Sequence, residues 1–228
     1  FAEKARSMSA RLISTQEIWQ CQNIRKEGNF SIYQLINSST NNTLAIRSDL
    51  TGSYQSKNIC TVLSAVDQLR ASGYEISEEA VEQGLKAVKQ LTGLRGRWDR
   101  LEESPTVIAD VAHNRDGILQ VLQQLQHDYP NAHVHFILGF VKDKEITGLL
   151  QLFPKNASYY FTNANIPRAL PNAELRQLAL SKGLKGEGFD NVNEALKSAK
   201  MKAGKNDVIM ICGSFFILAE WEGAYLPK

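Results

Sequence analysis

TVIADVAHNRDGILQVLQQLQHDY, residues 106–129, changes its grammar halfway. TVIADVA is apolar apart from Thr106 and Asp110, the pattern of a strand buried on both faces. From Asp116 onward Ile118, Leu122 and Leu125 recur at helical spacing. A buried strand running straight into a helix is half of a parallel crossover unit. The stretch between them, DVAHNRDG (110–117), has two readings: polar filler at a turn, or a ligand site at the end of a strand.

The same alternation continues downstream. VHFILGF reads as a strand and KDKEITGLLQLF as a helix; SYYFTN is a strand, and PNAELRQLALSKG a helix with Pro171 near its start and Gly183 at its end. NVNEALKSAKMKAG is a further helix, with Asn191 and Glu194 spaced as a capping box. DVIMIC is a last strand running into SFFILAEW. Apolar strands separated by helices predict an α/β fold: a Rossmann-like, doubly wound, mostly parallel sheet over residues 96–228.

Residues 1–95 read differently. A helical opening (1–20) precedes FSIYQLI and NTLAIRSDL, an antiparallel strand pair joined through NSSTNN. A helix follows Gly52, with Val62, Ala65, Val66 and Leu69 at helical spacing and Gly73 as its stop. ISEEAVEQGLKAVKQL forms a second helix, capped by Ser77 and begun by Glu78 and Glu79. TGLRGRWDRLEESPT (92–106), rich in Gly and charge, is the candidate linker. Opening at Phe1 rather than Met, the sequence reads as a piece of a longer chain.

Composition narrows the function. With 26 basic and 24 acidic residues the net charge is +2, which builds no field for nucleic acid or anionic lipid. Cys21, Cys60 and Cys212 lie far apart without a C-x-x-C spacing, arguing against a zinc ribbon or disulfide framework and for a reducing cytoplasm. The longest apolar run, VIMICGSFFILA (208–219), is shorter than the ~20 residues a membrane helix needs. FAEKARSMSARL lacks the compact apolar centre of a secretory signal. No G-x-x-x-x-G-K-[ST] occurs; AGKN (203–206) lacks the upstream glycine and the hydroxyl residue, and no G-x-G-x-x-G follows a strand. A nucleotide bound here would meet only part of its site.

Ligands of open parallel sheets bind at the carboxyl ends of the strands. The residues after the predicted strands are AHNRDG, GFVKDK, NANIPRA and CGSFF. They supply His113, Asn114, Lys142, Lys144, Arg168 and Ser214, groups suited to an anionic or zwitterionic ligand. Each has a plainer reading. Asp110 could cap the following helix, His113 could be a turn residue, Ser214 could cap the last helix, and Lys142, Asp143 and Lys144 could be a solvated helix start. The pair Phe215–Phe216 reads as core. His127, His133 and His135 have no thiolate or carboxylate at ligand spacing and do not read as a metal site.

Taken together the motifs resemble a known family. D-x-A-H-N after an apolar strand, preceded by G-R-x-[DE] (GRWD, 96–99), resembles the carboxy-terminal region of the Mur ligase superfamily. Within it the chain is similar to folylpolyglutamate synthases, often bifunctional with dihydrofolate synthase. LTGSYQSKN (50–58) resembles their L-x-G-x-H-Q-x-x-N, GFVKDKE (139–145) their G-M-x-x-D-K-D, and NIPRA with CGSFF their P-R-[AS] and G-S segments. The resemblance implies an ATP-dependent amide ligase: a carboxylate is phosphorylated, glutamate's amino group attacks the acyl phosphate, and phosphate leaves. It implies ATP contacts at Asn58, Arg97 and Asp110, and glutamate contacts at His113 and Ser214. It also implies ATP and Mg2+ as cofactors, a reduced folate or dihydropteroate as acceptor, and a cytoplasmic monomer with no nucleic-acid or membrane partner.

By the same resemblance, residues 1–95 are the tail of an α/β ATPase domain and 96–228 the glutamate ligase domain. The phosphate loop and magnesium ligands are then expected upstream, with no catalytic or metal residue in this chain and no activity from it alone. Three positions depart from the pattern: Tyr54 stands for the family's His, Val111 for its Gly and Arg115 for its Pro. Two rival readings are a murein peptide ligase of the same superfamily and a non-catalytic α/β binding module.

Overall fold

A computed structural model of the chain describes residues 1–142 and 145–221. The chain divides into two units, Phe1–Gly93 and Leu94–Lys228.

In the first unit, two short helices, α1 (Ala2–Ser7) and α2 (Thr15–Ile18), precede a three-stranded antiparallel sheet of β1 (Trp19–Glu27), β2 (Phe30–Asn37) and β3 (Thr43–Ser48), in that spatial order. The expected pair is β2 and β3, and the intervening turn is organised by Asn37, whose Oδ1 accepts from the amides of Ser39 and Thr40. The expectation of a helical opening through residue 20 is corrected: Trp19 begins β1, a strand absent from the sequence reading. WQCQNIRKE hides because it is polar and lies at a sheet edge, where one row of partners is enough and alternation is weak.

Helix α3 (Gln55–Ala71) covers this sheet, followed by α4 (Glu78–Lys86) and α5 (Val88–Thr92). The predicted second helix is thus broken at Ala87. Ser77 caps α4, its hydroxyl accepting from Ala80 N at 3.0 Å. The buried face of α3 is Ile59, Cys60, Leu63 and Ser64, packed with Tyr33, Leu35 and Ile46; Val62 and Leu69 are exposed, contrary to expectation. Two apolar stripes overlap on this helix, and periodicity alone does not choose between them.

The second unit is built on one six-stranded sheet. Its strands are β4 (Asp99–Glu103), β5 (Thr106–Ala109), β6 (Val134–Leu138), β7 (Ser158–Phe161), β8 (Gly186–Gly188) and β9 (Val208–Cys212). Their order is β4-β5-β9-β6-β7-β8, parallel throughout except for β4. Helices α6 (Arg115–Asp128), α7 (Ile146–Leu150) and α8 (Asn172–Ser181) pack with Ile108, Phe136, Leu138, Phe161, Met210 and Cys212. Helices α9 (Val192–Lys202) and α10 (Phe215–Ala219) pack with Val107, Ala109, Ile137, Ile209 and Ile211. Alternate residues of the central strands therefore serve opposite cores, so these strands are largely apolar on both faces and β9 is buried along its whole length. The sheet is doubly wound, as its sequence predicts.

Two edge strands are corrections to the sequence reading. The candidate linker 92–106 contains β4, which pairs antiparallel with β5. DRLEE is charged because it is an edge, and that charge made it read as linker. The three-residue β8, GEG, carries no propensity signal; Gly186 fits because a Cβ there would lie 2.2 Å from Tyr159 O.

Candidate functional site

Because β5, β9, β6 and β7 are parallel, the loops that follow them share one edge of the sheet. Main-chain bonds continue past the strands: Asp110 N donates to Ile211 O at 2.9 Å, and Gly213 N to Ala112 O at 2.8 Å. The segments bearing His113 and Ser214 are thereby laid side by side. Gly213 adopts φ 111°, and a Cβ there would lie 2.6 Å from Gly139 O, so only glycine lets the third loop approach this closely.

The two most specific motifs of the second unit are physically joined. Asp110 is 3% exposed; its Oδ2 accepts from Trp98 N at 2.8 Å and its Oδ1 from Ala112 N at 2.9 Å. Val111 N donates to Gly96 O at 3.0 Å, and Asp99 Oδ2 accepts from Gly96 N at 2.5 Å. A buried carboxylate is costly without such donors, so Asp110 is a clasp between the 96–99 turn and the 110–114 loop. Trp98 is held at φ 55° with its ring in the core, a backbone region bulky side chains rarely adopt. Arg97, between these fixed residues, is half-buried and donates Nη1 to Gly96 O at 3.0 Å. Cys212 lies nearby, its thiol pushed up by burial and by the Asp110 charge.

Helix α6 is capped by Asn114, whose Oδ1 accepts from Gly117 N at 2.8 Å; Asp110 is not the cap. His113 Nδ1 lies 2.9 Å from Val111 O, and since a carbonyl only accepts, Nδ1 carries the proton and Nε2 is left for another partner. Ser214 is the cap of α10, its Oγ accepting from Phe216 N at 3.1 Å, which leaves its hydroxyl proton to donate elsewhere. Phe215 is 54% exposed, contrary to the core reading, while Phe216 is partly buried and packs against the second core.

The departures from the family pattern also acquire physical content. Val111 needs no left-handed backbone, and its Cγ1 packs where a Cβ of Gly96 would stand. Arg115 is the first residue of α6, where the family's proline would be tolerated equally, so the exchange adds a cation without altering the helix. Tyr54 lays its ring against Gly52, within 2.8 Å of where a Cβ would stand, in a turn also pinned by Tyr33, whose hydroxyl donates to Leu50 O at 2.7 Å.

Two clefts open among the residues that follow the strands. One, of about 440 Å³, is lined by His113, Asn114, Arg115, Glu145, Gly148, Leu149 and Gln151. The other, of about 520 Å³, includes Lys142, Asn163, Asn165 and Asp190. Ser214 and Arg97 line neither. Glu145 and Gln151 were not singled out in the sequence, because nothing in their local pattern distinguishes them from helix-start polarity. Lys144 and Asp143 lie outside the described residues. Asn58 is exposed on α3 in the first unit, its amide donating to Gln55 Oε1 at 2.7 Å.

At the opposite, amino-terminal end of the sheet the histidines form a separate network. His135 Nδ1 and Nε2 meet Tyr160 Oη and Asp207 Oδ2 at 3.1 and 3.2 Å, and His133 Nε2 meets Ser158 Oγ at 2.9 Å. Among the described residues no group of three or more His, Cys, Asp or Glu side chains could hold a metal ion. No described helix is long and apolar enough to cross a membrane.

Residues 96–215 match the Mur ligase glutamate ligase domain, and the chain belongs to that family. Among curated relatives it is 34% identical over 163 residues to the dihydrofolate synthase/folylpolyglutamate synthase of Escherichia coli strain K12, covering 71% of this chain and 36% of that protein. It is 30% identical over 194 residues to a probable bifunctional folylpolyglutamate synthase/dihydropteroate synthase of Haloferax volcanii, covering 82% and 22%. The fold superposes on E. coli FolC in complex with DHPP and ADP with a TM-score of 0.74 at 28% identity, covering 95% of this chain and 48% of that one. It matches the fold of a Mycobacterium tuberculosis folylpolyglutamate synthase with a TM-score of 0.78 at 22% identity, covering 95% and 50%. The chain thus spans about a third of the length of these E. coli-type relatives and about half of the solved chains.

Proposed function

We propose that this chain supplies the carboxy-terminal part of an ATP-dependent acid–amino-acid ligase that adds L-glutamate to a folate. The observation that carries the reading is the meeting of residues 96–99, 110–114 and 213–214 at one edge of the sheet, inside the span that matches the glutamate ligase domain. E. coli FolC solved in complex with DHPP and ADP, and again with ADP but without folate substrate, is in keeping with this substrate class.

In this account Asn58, Arg97 and Asp110 are each assigned an ATP contact. Arg97 offers a planar fork of donors to phosphate, and Asp110 contributes chiefly by holding the turn that carries Arg97. His113 and Ser214 form the glutamate side, Nε2 of the one and the hydroxyl of the other facing the zwitterion. Such positioning of two anions and an amine is worth several kcal/mol of activation free energy without covalent participation by the protein. Magnesium, expected with ATP, would be held by residues outside those described, and no step is drawn through it. The whole protein is proposed to act as a cytoplasmic monomer, with no nucleic-acid or membrane partner.

The test is phosphate release by the full-length protein with ATP, glutamate and either a reduced folate, dihydropteroate or a UDP-linked muramyl peptide. Release with the pterin acceptors alone is expected; release with the muramyl acceptor would move the assignment to a murein ligase. The present chain by itself is expected to release none, and turnover by it would show that its own residues suffice for phosphoryl transfer.

A further inference from the structure

The loop after β7 carries an arginine whose setting is unlike that of the other cations at this edge. The guanidinium carbon of Arg168 lies 4.6 Å from the centroid of the Phe216 ring. Phe216 is packed against the second core and meets Phe215 edge-on at 6.2 Å. The loop is fixed on both flanks. Lys142 N donates to Arg168 O and Leu170 N to Phe140 O, each at 2.9 Å, while Asn165 N donates to Glu220 Oε1 at 2.6 Å. Among the described residues no carboxylate pairs with Arg168.

A guanidinium lying over a ring face keeps its in-plane N–H groups available, and the ring restricts the rotamers a free arginine would explore. The group that fits is a planar carboxylate, taken by two parallel N–H bonds. The nucleotide side is placed elsewhere: Arg97 belongs to the turn clasped to the β5 loop, and β7 lies three strand spacings away, roughly 14 Å. Ser214, by contrast, is two residues from Phe216 on the same short segment.

We propose that Phe216 is a positioning residue that holds Arg168 as a clamp for a carboxylate of the incoming glutamate. This rests on the ligase reading and deepens it, because neither side chain takes part in the clasp or in the His113 and Ser214 hydrogen bonds. Phe216→Leu removes the ring face and keeps bulk in the core; Phe216→Tyr keeps the face. Arg168→Lys keeps the charge and loses the fork.

The experiment is steady-state kinetics of the full-length protein with glutamate and ATP varied separately. Phe216→Leu and Arg168→Lys should each raise the glutamate KM about 3- to 30-fold, the range of a cation–π contact or a lost bidentate bond, with the ATP KM near wild type. Phe216→Tyr should restore the wild-type value, and the double variant Phe216→Leu/Arg168→Lys should be no worse than Arg168→Lys alone. Additive effects in the double variant, or failure of Tyr to rescue, would assign Phe216 to packing only and overturn the proposal. Arg168→Gln leaves Phe216 in place and carries the test if Phe216→Leu does not fold; an unchanged glutamate KM there overturns the clamp while leaving the ligase reading intact. Absence of glutamate-dependent phosphate release by the wild type overturns both.

Discussion

Asp110→Ala removes the acceptor shared by Trp98 N and Ala112 N, which lie 2.8 and 2.9 Å from its two oxygens in a site only 3% exposed. A hydrogen bond to a buried charged group is worth about 1.5–3 kcal/mol, so the two together hold about 3–6 kcal/mol in gross terms. Part is offset because a carboxylate no longer has to be buried, leaving a net loss of about 2–4 kcal/mol. The loss should be local, since the clasp joins two loops rather than two core layers. Amide hydrogen exchange at Trp98 and Ala112 reads it directly: protection should fall by roughly 30- to 1000-fold if opening of the clasp governs exchange. Asp110→Asn keeps one acceptor oxygen and should lose about half as much free energy, roughly 1–2 kcal/mol. Unchanged exchange at both amides in Asp110→Ala would refute the clasp.

Gly213→Ala should destabilise the second unit by about 1–3 kcal/mol, seen as a lower urea midpoint, because φ 111° is strained for alanine and the new Cβ meets Gly139 O at 2.6 Å. A midpoint equal to wild type would mean the loops at this edge are not packed as closely as described. Burial holds the His135 imidazole below its ordinary range, helped by His133 and Lys202 and opposed by its hydrogen bond and charge interaction with Asp207. The unfolded chain therefore takes up this proton more readily, so the stability His135 contributes is present above its ordinary value and is lost as pH falls below about 6.5. Thermal midpoints measured from about pH 7.5 to 5.5 should fall in wild type and fall less in His135→Gln; equal slopes would show that another group governs the drop.

The doubly wound sheet was legible because each of its central strands must be apolar on both faces while its helices are not. Val107, Ile137 and Ile209 face one core while Ile108, Phe136 and Met210 face the other, and no alternation remains to confuse the reading. The edges were not legible for the complementary reason. DRLEE and WQCQNIRKE become strands through a neighbour's hydrogen bonds, not through their own apolar pattern. At the site, the loops could be placed from sequence because parallel strands put all their carboxyl ends together. The partners of individual side chains could not. Asp110 is bonded to an amide twelve positions earlier, and Arg168 to a ring forty-eight positions later, contacts that only the sheet order brings about. Asn114 as the cap of α6 was within reach, since it stands three residues before Gly117, but the more acidic Asp110 drew the capping reading instead.

The most direct measurement is the glutamate KM of the full-length protein carrying His113→Ala or Ser214→Ala, with the ATP KM followed in parallel. If the adjoining loops after β5 and β9 hold the amino acid, each substitution should raise the glutamate KM at least about tenfold, the cost of one lost polar contact to a charged ligand, and leave the ATP KM within about twofold. A wild-type glutamate KM in both variants, with the fold intact, would contradict the account.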